Sequence, residues 1–251
     1  MEQEAIKFEL KSPFAIIKKP ESNEVYYTYQ FPHKIMILGL LGSIIGCNGY
    51  NYNAFVNKVD RLPEFYEQLK ELKISITMNN TEKLITKKIQ SFNNTVGYAN
   101  KDGNLIVQEQ WLENPSWDIY VMGKGEKFDK IKEYLLQRKC EYIPYIGKND
   151  HFADIQNVKV ISSNKVSSPV THISSLFDKN ISKDYEVSFK SLAAFLTETK
   201  EEYEYSEMMP TALNSEIGYT KFKPFIFTNK EVNIINTEDV YEIEGSYYYF
   251  F

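Results

Sequence analysis

Phe31-Pro-His-Lys-Ile-Met-Ile-Leu-Gly-Leu-Leu-Gly-Ser-Ile-Ile-Gly46 is the stretch on which the reading of this chain turns. Proline lacks an N–H and has a fixed φ, so Pro32 suits the entrance to a helix. The nearly unbroken apolar run behind it predicts a buried one. Gly39, Gly42 and Gly46 notch that helix. An interior Gly costs about 1 kcal/mol relative to Ala, so such a cluster is expected to have a packing reason. The three lie three and four residues apart, on one face. Without side chains, that face lets another backbone, of protein or of nucleic acid, come close.

Upstream, residues 5–11 alternate, with Ile6, Phe8 and Leu10 on one side and Lys7, Glu9 and Lys11 on the other. This is the pattern of a half-buried strand. Ser12-Pro13 interrupts it, residues 14–19 continue it, residues 20–23 turn, and residues 25–29 lead into the notched helix. Downstream, Asn48-Gly-Tyr-Asn-Tyr-Asn53 reads as a polar loop. Residues 63–70 read as a second helix, with Phe65, Tyr66 and Leu69 at helical spacing, and residues 73–77 as a strand. Residues 79–104 are rich in Asn, Lys and Thr and carry turn signals at Asn93-Asn94 and Lys101-Asp-Gly-Asn104. They predict a long exposed hairpin or a flexible loop. A strand at 117–121 follows, then a Gly123-Lys-Gly125 turn and an amphipathic helix at about 126–138 with Phe128, Ile131 and Leu135 as its apolar stripe. A closing strand is expected at 141–146.

With the helix at 63–70 set aside as an addition, the order is βαββαβ. That is the ferredoxin-like (RRM-like) α+β arrangement, with a hairpin inserted before its third strand. It predicts a first domain over residues 1–150. Short strands at 158–161, 185–189, 223–227, 232–235 and 247–251 predict a smaller β-rich domain over 151–251, with loops or an acidic face at 163–168 and 197–205. The sequence shows no internal repeat.

The 251 residues are 43% hydrophobic and 25% charged, as a folded protein should be. The formal net charge of −5 argues against nucleic acid until its distribution is considered. Residues 201–251 hold three Lys against ten Asp and Glu, so the first 200 residues are slightly positive, at about +2. Two cysteines, Cys47 and Cys140, build neither a disulfide framework nor a metal quartet, and predict a reduced, cytoplasmic protein. The first residues, Met-Glu-Gln-Glu-Ala, lack the pattern of a signal peptide, and the apolar run at 35–46 is too short to span a bilayer.

Three histidines with no His or Cys partner at ligand spacing predict no metal site. Gly123-Lys-Gly125 lacks the ending of a phosphate-binding P-loop, no Gly-x-Ser-x-Gly elbow occurs, and no cofactor is expected. Nucleic-acid binding has more support. Lys11, Lys18 and Lys19 lie on or beside the first strand, His33 and Lys34 open the notched helix, and Asn48, Tyr50 and Tyr52 follow it. Lys83, Lys87, Lys88 and Phe92 dot the inserted hairpin. Cations on phosphates and rings under bases are the usual means of holding single-stranded RNA. The bland alternatives are solvated lysines and sheet tyrosines.

Phe8-Glu-Leu-Lys-Ser-Pro-Phe-Ala15, Tyr29-Gln-Phe-Pro-His-Lys34 and Ile37-Leu-Gly-Leu-Leu-Gly-Ser-Ile-Ile-Gly46 together resemble the N-terminal signature of Cas family five, a CRISPR-associated family of the RAMP superfamily. Tyr142-Ile-Pro-Tyr-Ile-Gly-Lys148 and Met209-Pro-Thr-Ala-Leu213 extend the likeness, which is nearest to type I-B members. The resemblance implies a non-catalytic Cascade subunit that caps the 5′ handle of the CRISPR RNA. Its partners would be the backbone subunit (Cas family seven), the large subunit (Cas family eight) and, indirectly, target DNA, with no membrane involved. It implies a hairpin thumb at about 79–112, with Lys87, Lys88 and Phe92 toward RNA, and a glycine loop at Gly147-Lys148. The candidate RNA-binding residues are therefore Lys11, Lys18, His33, Lys34, Asn48, Tyr50, Lys87, Lys88, Phe92, Gly147 and Lys148. Such phosphate contacts would make binding fall steeply with salt. One branch of the family cleaves RNA without metal. That makes a ribonuclease using Tyr50 or His33 one alternative, and a pure protein adaptor the other.

Overall fold

The computed structural model describes residues 2–21, 25–57, 62–79, 84–94, 105–182, 202–215 and 218–251. Its first half holds β1 (Glu2–Lys11), β2 (Phe14–Ala15), β3 (Val25–Tyr26), α1 (Lys34–Ile45), a π-helical turn (Tyr52–Asn57), α2 (Glu64–Leu69) and β4 (Lys73–Met78). Next come β5 (Lys87–Asn94), β6 (Leu105–Glu113), β7 (Ser116–Met122) and α3 (Glu126–Leu136). The remainder holds β8 (Asp154–Lys165), β9 (Phe177–Asp178), β10 (Glu204–Asn214), β11 (Gly218–Thr228), β12 (Val240–Ile243) and β13 (Ser246–Tyr249). The fold is mixed α+β, mostly sheet with few helices.

The main sheet runs β13-β12-β8-β1-β7-β4, and every adjacent pair is antiparallel. The alternation in β1 decides which face is inner. Ile6, Phe8 and Leu10 are fully buried opposite Val121, Ile119 and Trp117, in one core with the apolar residues of α1 and α3. Lys7 and Glu9 point the other way, and Lys7 pairs with Asp118 at 2.5 Å. A second, smaller apolar cluster joins Ala5, Tyr120 and Met122 to Tyr241, Ile243 and Phe250. Phe251 exchanges two 3.0 Å backbone hydrogen bonds with Ile74 of β4. The end of the chain thus covers an edge that would otherwise invite pairing with another molecule.

Two expectations are corrected here. Residues 141–146 are not a strand. Glu141 N–H bonds Ile44 O at 2.9 Å and Tyr142 N–H bonds Ser43 O at 3.1 Å, which ties this segment to the end of α1 as a loop. Pro144 has no N–H to give a ladder, while Tyr142, Ile143 and Tyr145 all face out. The strand that pairs with β1 instead is β8, in register from Glu2–Asn164 to Lys11–Asp154 with one bulge. The sheet therefore does not break at residue 150. β8, β12 and β13 belong to the sheet of β1, and what stands apart is a small sheet ordered β10-β11-β9. The strand expected at 185–189 lies outside the described residues. Within 232–235, Ile234 makes only single bridges, to Val170 and Ser182.

The glycine notch is filled from within. A Cβ on Gly42 would lie 2.4 Å from Cβ of Phe65, and one on Gly39 would lie 3.7 Å from that ring. The close neighbour on this face is α2, not a nucleic-acid backbone. Gly46 ends α1 with φ +86°, and its N–H caps Gly42 O. That left-handed conformation suits Gly at a helix end. The inserted segment is a hairpin, with β5 paired to β6 from Lys87–Leu112 to Asn94–Leu105. The other edge of β6 holds β2 and β3, so the hairpin stands on an anchored base.

Candidate nucleic-acid interface

A groove of about 730 Å³ runs along the exposed side of α1, over Gly39, Leu40 and Ser43. One wall is the 48–52 segment, expected as a polar loop but helical from Tyr50 onward, and the other is the 142–147 loop, with Ile16, Ile17 and Lys18 at one side. Four tyrosine rings stand half-open in it: Tyr50 at 52%, Tyr52 at 43%, Tyr142 at 56% and Tyr145 at 50% exposure. Three of these residues are tied to neighbours, Tyr50 by its ring and Tyr142 and Tyr145 by their backbone. Tyr50 meets Phe65 edge-on at 6.0 Å, Tyr142 is pinned through its backbone to Ser43, and Tyr145 forms a bridge with Phe152.

Each wall has a fastening. Glu64 Oε2 accepts from the Asn48 backbone N–H (2.9 Å) and from Asn48 Nδ2 (2.8 Å). The backbone donor is the main reason its carboxyl sits below the usual carboxylate range. On the far side, Gly147 has φ +84° and packs on the chain at Ile16, where a Cβ would fall 1.6 Å from the carbonyl oxygen. His33 caps α1, accepting the Met36 N–H on Nδ1 at 3.2 Å, with Tyr29 and Tyr219 edge-on at 5.9 and 5.1 Å. Burial pushes this imidazole down to about 3, so it is neutral at physiological pH. Burial likewise raises the Tyr50 hydroxyl to about 12.

A second cluster lies at the hairpin base. Buried Glu109 Oε2 accepts from Trp111 Nε1 (2.8 Å) and from Lys148 Nζ (2.9 Å). The same ammonium lies 5.1 Å from the Phe92 ring centre and 5.6 Å from that of Trp111. Buried His151 meets Trp111 edge-on at 4.6 Å, and Lys88 Nζ is 6.0 Å from the Phe14 ring. On the opposite face of the hairpin, Lys87 Nζ donates to Thr28 O at 3.1 Å, and burial lowers its pKa. Replacing the Glu109 carboxylate with an amide removes the anion that Lys148 faces in a poorly hydrated place. We expect Glu109→Gln to cost about 1–3 kcal/mol. That is a fall in melting temperature of roughly 2–10 °C, read by thermal unfolding. An unchanged midpoint would show that the pair carries no such role.

The groove thus brings together Lys18, His33, Asn48, Tyr50 and Gly147 of the residues expected from sequence. Lys88, Phe92 and Lys148 meet at the hairpin base. Lys148 and Lys87 are engaged by Glu109 and the Thr28 carbonyl, so they act as fasteners of the hairpin. Lys11 lies at the end of β1, 3.9 Å from Glu9. Lys34 is half-buried and does not line the groove; burial above all, aided by the charges of Lys73 and Lys223 and opposed by those of Glu71 and Asp239, brings it down to about 8. Lys83 is outside the described residues. Sequence reasoning missed Tyr142, Tyr145 and Glu109 as site residues. The proline between the two tyrosines was the available sign of an exposed loop.

Among the described residues no cluster of His, Cys, Asp or Glu is arranged to hold a metal. No helix there is long and apolar enough to cross a membrane. Residues 5–144 match the family model described as "CRISPR-associated protein (Cas_Cas5)". No curated protein matches the chain. Among solved structures, a CRISPR protein from Archaeoglobus fulgidus is similar with a TM-score of 0.51 and 11% identity, over 98% of this chain and 97% of that one. A chain of a CRISPR RNA-guided surveillance complex is similar with a TM-score of 0.47 and 10% identity, over 92% of each chain. At 11% identity the likeness to the Archaeoglobus fulgidus protein is one of fold.

Proposed function

Because this chain belongs to the Cas5 family of CRISPR-associated proteins, we propose that it is a non-catalytic subunit of a type I CRISPR effector complex, of the I-B kind, and that it holds the 5′ handle of the guide RNA. The observation that carries this is the groove over α1, where four half-open tyrosine rings and Lys18 line one channel. Stacking platforms of that kind suit unpaired RNA. The ferredoxin-like reading draws on the strand order β8-β1-β7-β4, with α1 following β1 and α3 following β7. The β5–β6 hairpin is the proposed thumb. Ile89 and Ile106, one on each strand of the hairpin, are 52% and 63% exposed, which fits contact with the neighbouring backbone subunit (Cas family seven). The large subunit (Cas family eight) and target DNA are the remaining partners, reached through the assembled complex in the cytoplasm.

The non-catalytic reading has chemical support. A general base must hold a free lone pair near the ribose hydroxyl. His33 is buried with Nδ1 engaged by Met36, and the Tyr50 hydroxyl ionises only near pH 12. The test is nuclease footprinting of the assembled complex. The handle should be protected when this subunit is present and accessible when it is omitted. A handle cut equally in both would refute the assignment. Site-specific cleavage of repeat RNA by the pure protein in chelator, lost in Tyr50→Phe, would favour the ribonuclease instead.

A further inference from the structure

We infer that the groove over α1 grips its RNA by the bases and not by the phosphates: the tyrosines of its two walls stack on unpaired bases, and the sugar-phosphate chain runs along the open side. This rests on the handle-binding reading and says how that binding works.

The charge inventory carries the inference. Among the described lining residues Lys18 is the one charged side chain, and neither Asp nor Glu is present. Among the described residues, three lysines of adjoining segments are engaged by other groups. Lys19 pairs with Glu207 at 2.6 Å, Lys148 with Glu109 at 2.9 Å, and Lys87 donates to the Thr28 carbonyl. Even Lys18 lies 3.7 Å from the centre of the Tyr26 ring. A site that works through phosphates presents several free cations, each releasing counterions from the nucleic acid. This groove instead presents Tyr50, Tyr52, Tyr142 and Tyr145, all about half exposed and all lining the same channel. A base has two π-faces and is uncharged, so rings of this kind hold it with little regard to salt. Ser43, Asn48, Asn51 and the neutral His33 are the other polar side chains of the lining. On this reading the salt dependence is shallow, where contacts to phosphates, as expected from the sequence, would make it steep.

The test compares two labelled oligomers on the full chain by fluorescence anisotropy. One is a mixed-sequence RNA of about eight nucleotides, within the span of a single-strand site. The other has the same phosphates but abasic sugars. With about one phosphate neutralised, log K should fall with log salt with a slope of about −0.7. The abasic oligomer should bind at least about tenfold more weakly. Tyr142→Ala and Tyr145→Ala should each lose about 5- to 100-fold in affinity, whereas the Phe variants, which keep the ring, should bind as the parent does. Lys18→Ala should flatten the slope and leave the preference for bases intact. A slope steeper than about −3, or abasic RNA bound as well as the normal oligomer, overturns the stacking inference and leaves handle binding standing. Failure of both oligomers to bind overturns handle binding, and the inference with it. Tyrosine variants that bind RNA normally but no longer join the other subunits would make the groove a protein interface, also against the inference.

Discussion

Gly147→Ala is expected to lower the melting temperature by roughly 5–15 °C and to weaken RNA binding with it. Two costs add. The residue sits at φ +84°, where an L side chain is strained by about 1–2 kcal/mol. The added Cβ would also fall 1.6 Å from the carbonyl oxygen of Ile16, an atom of the backbone that cannot rotate away. Relieving that overlap moves either the 147–151 loop or the strand under it, at about 1–3 kcal/mol. The loop also carries Lys148 to Glu109 and Tyr145 to the groove, so the displacement reaches both clusters at once. The checks are a thermal melt and an RNA titration on one sample. Gly49→Ala, where a Cβ meets nothing within 4 Å, is the control. Equal melting temperatures for the two variants would contradict the packing at Gly147.

Acid should unfold this protein largely through His33. An unfolded imidazole takes up a proton near pH 6.5, whereas the folded one refuses it until about pH 3. Because the folded pKa is depressed, the stability is fully present above about pH 6.5. It is lost progressively as pH falls through the window down to about 3, where the linkage amounts to about 5 kcal/mol. His33→Asn removes the titration and keeps a side-chain acceptor for the Met36 N–H, since Asn is a favoured N-cap. At neutral pH the variant is expected to be the less stable protein, having lost packing against Tyr29 and Tyr219. On acidification the two should converge. Melting curves from pH 7 to pH 4 measure this, and profiles that stay parallel would show that His33 is not the acid-sensitive group. The capped helix floors the groove, so the same pH window should govern RNA binding.

What could be read in the sequence was what local periodicity encodes. The alternation of Ile6, Phe8 and Leu10 and the stripe of Phe128, Ile131 and Leu135 are the buried faces of β1 and α3. The proline entrance and glycine exit of α1 mark its ends within two residues. What could not be read depends on distant partners. Residues 141–146 are as aromatic and β-branched as a strand, but Pro144 and the carbonyls of Ser43 and Ile44 hold them as a loop. The strand expected at 158–161 is the centre of β8, but its polar ends owe their strand form to pairing with β1 and β12, a tertiary effect that outweighs local propensity. The glycine notch marked a close packing site, while the identity of its neighbour, Phe65, was not in the spacing. In the same way, Lys148 looks like a free cation until Glu109, thirty-nine residues earlier, is seen to claim it. Tyr50, Asn48 and Lys18 were legible as a site because they flank α1 in sequence. Tyr142 and Tyr145 join them only through the fold.

The most direct test of the central claim is photo-crosslinking of the assembled complex, with 4-thiouridine placed in the handle of the guide RNA and the adducts located by mass spectrometry. The expected result is crosslinks at Tyr50, Tyr142 or Tyr145, on the two walls of the groove over α1. Crosslinks confined to other surfaces of this chain or to other subunits, with none at the groove, would contradict it.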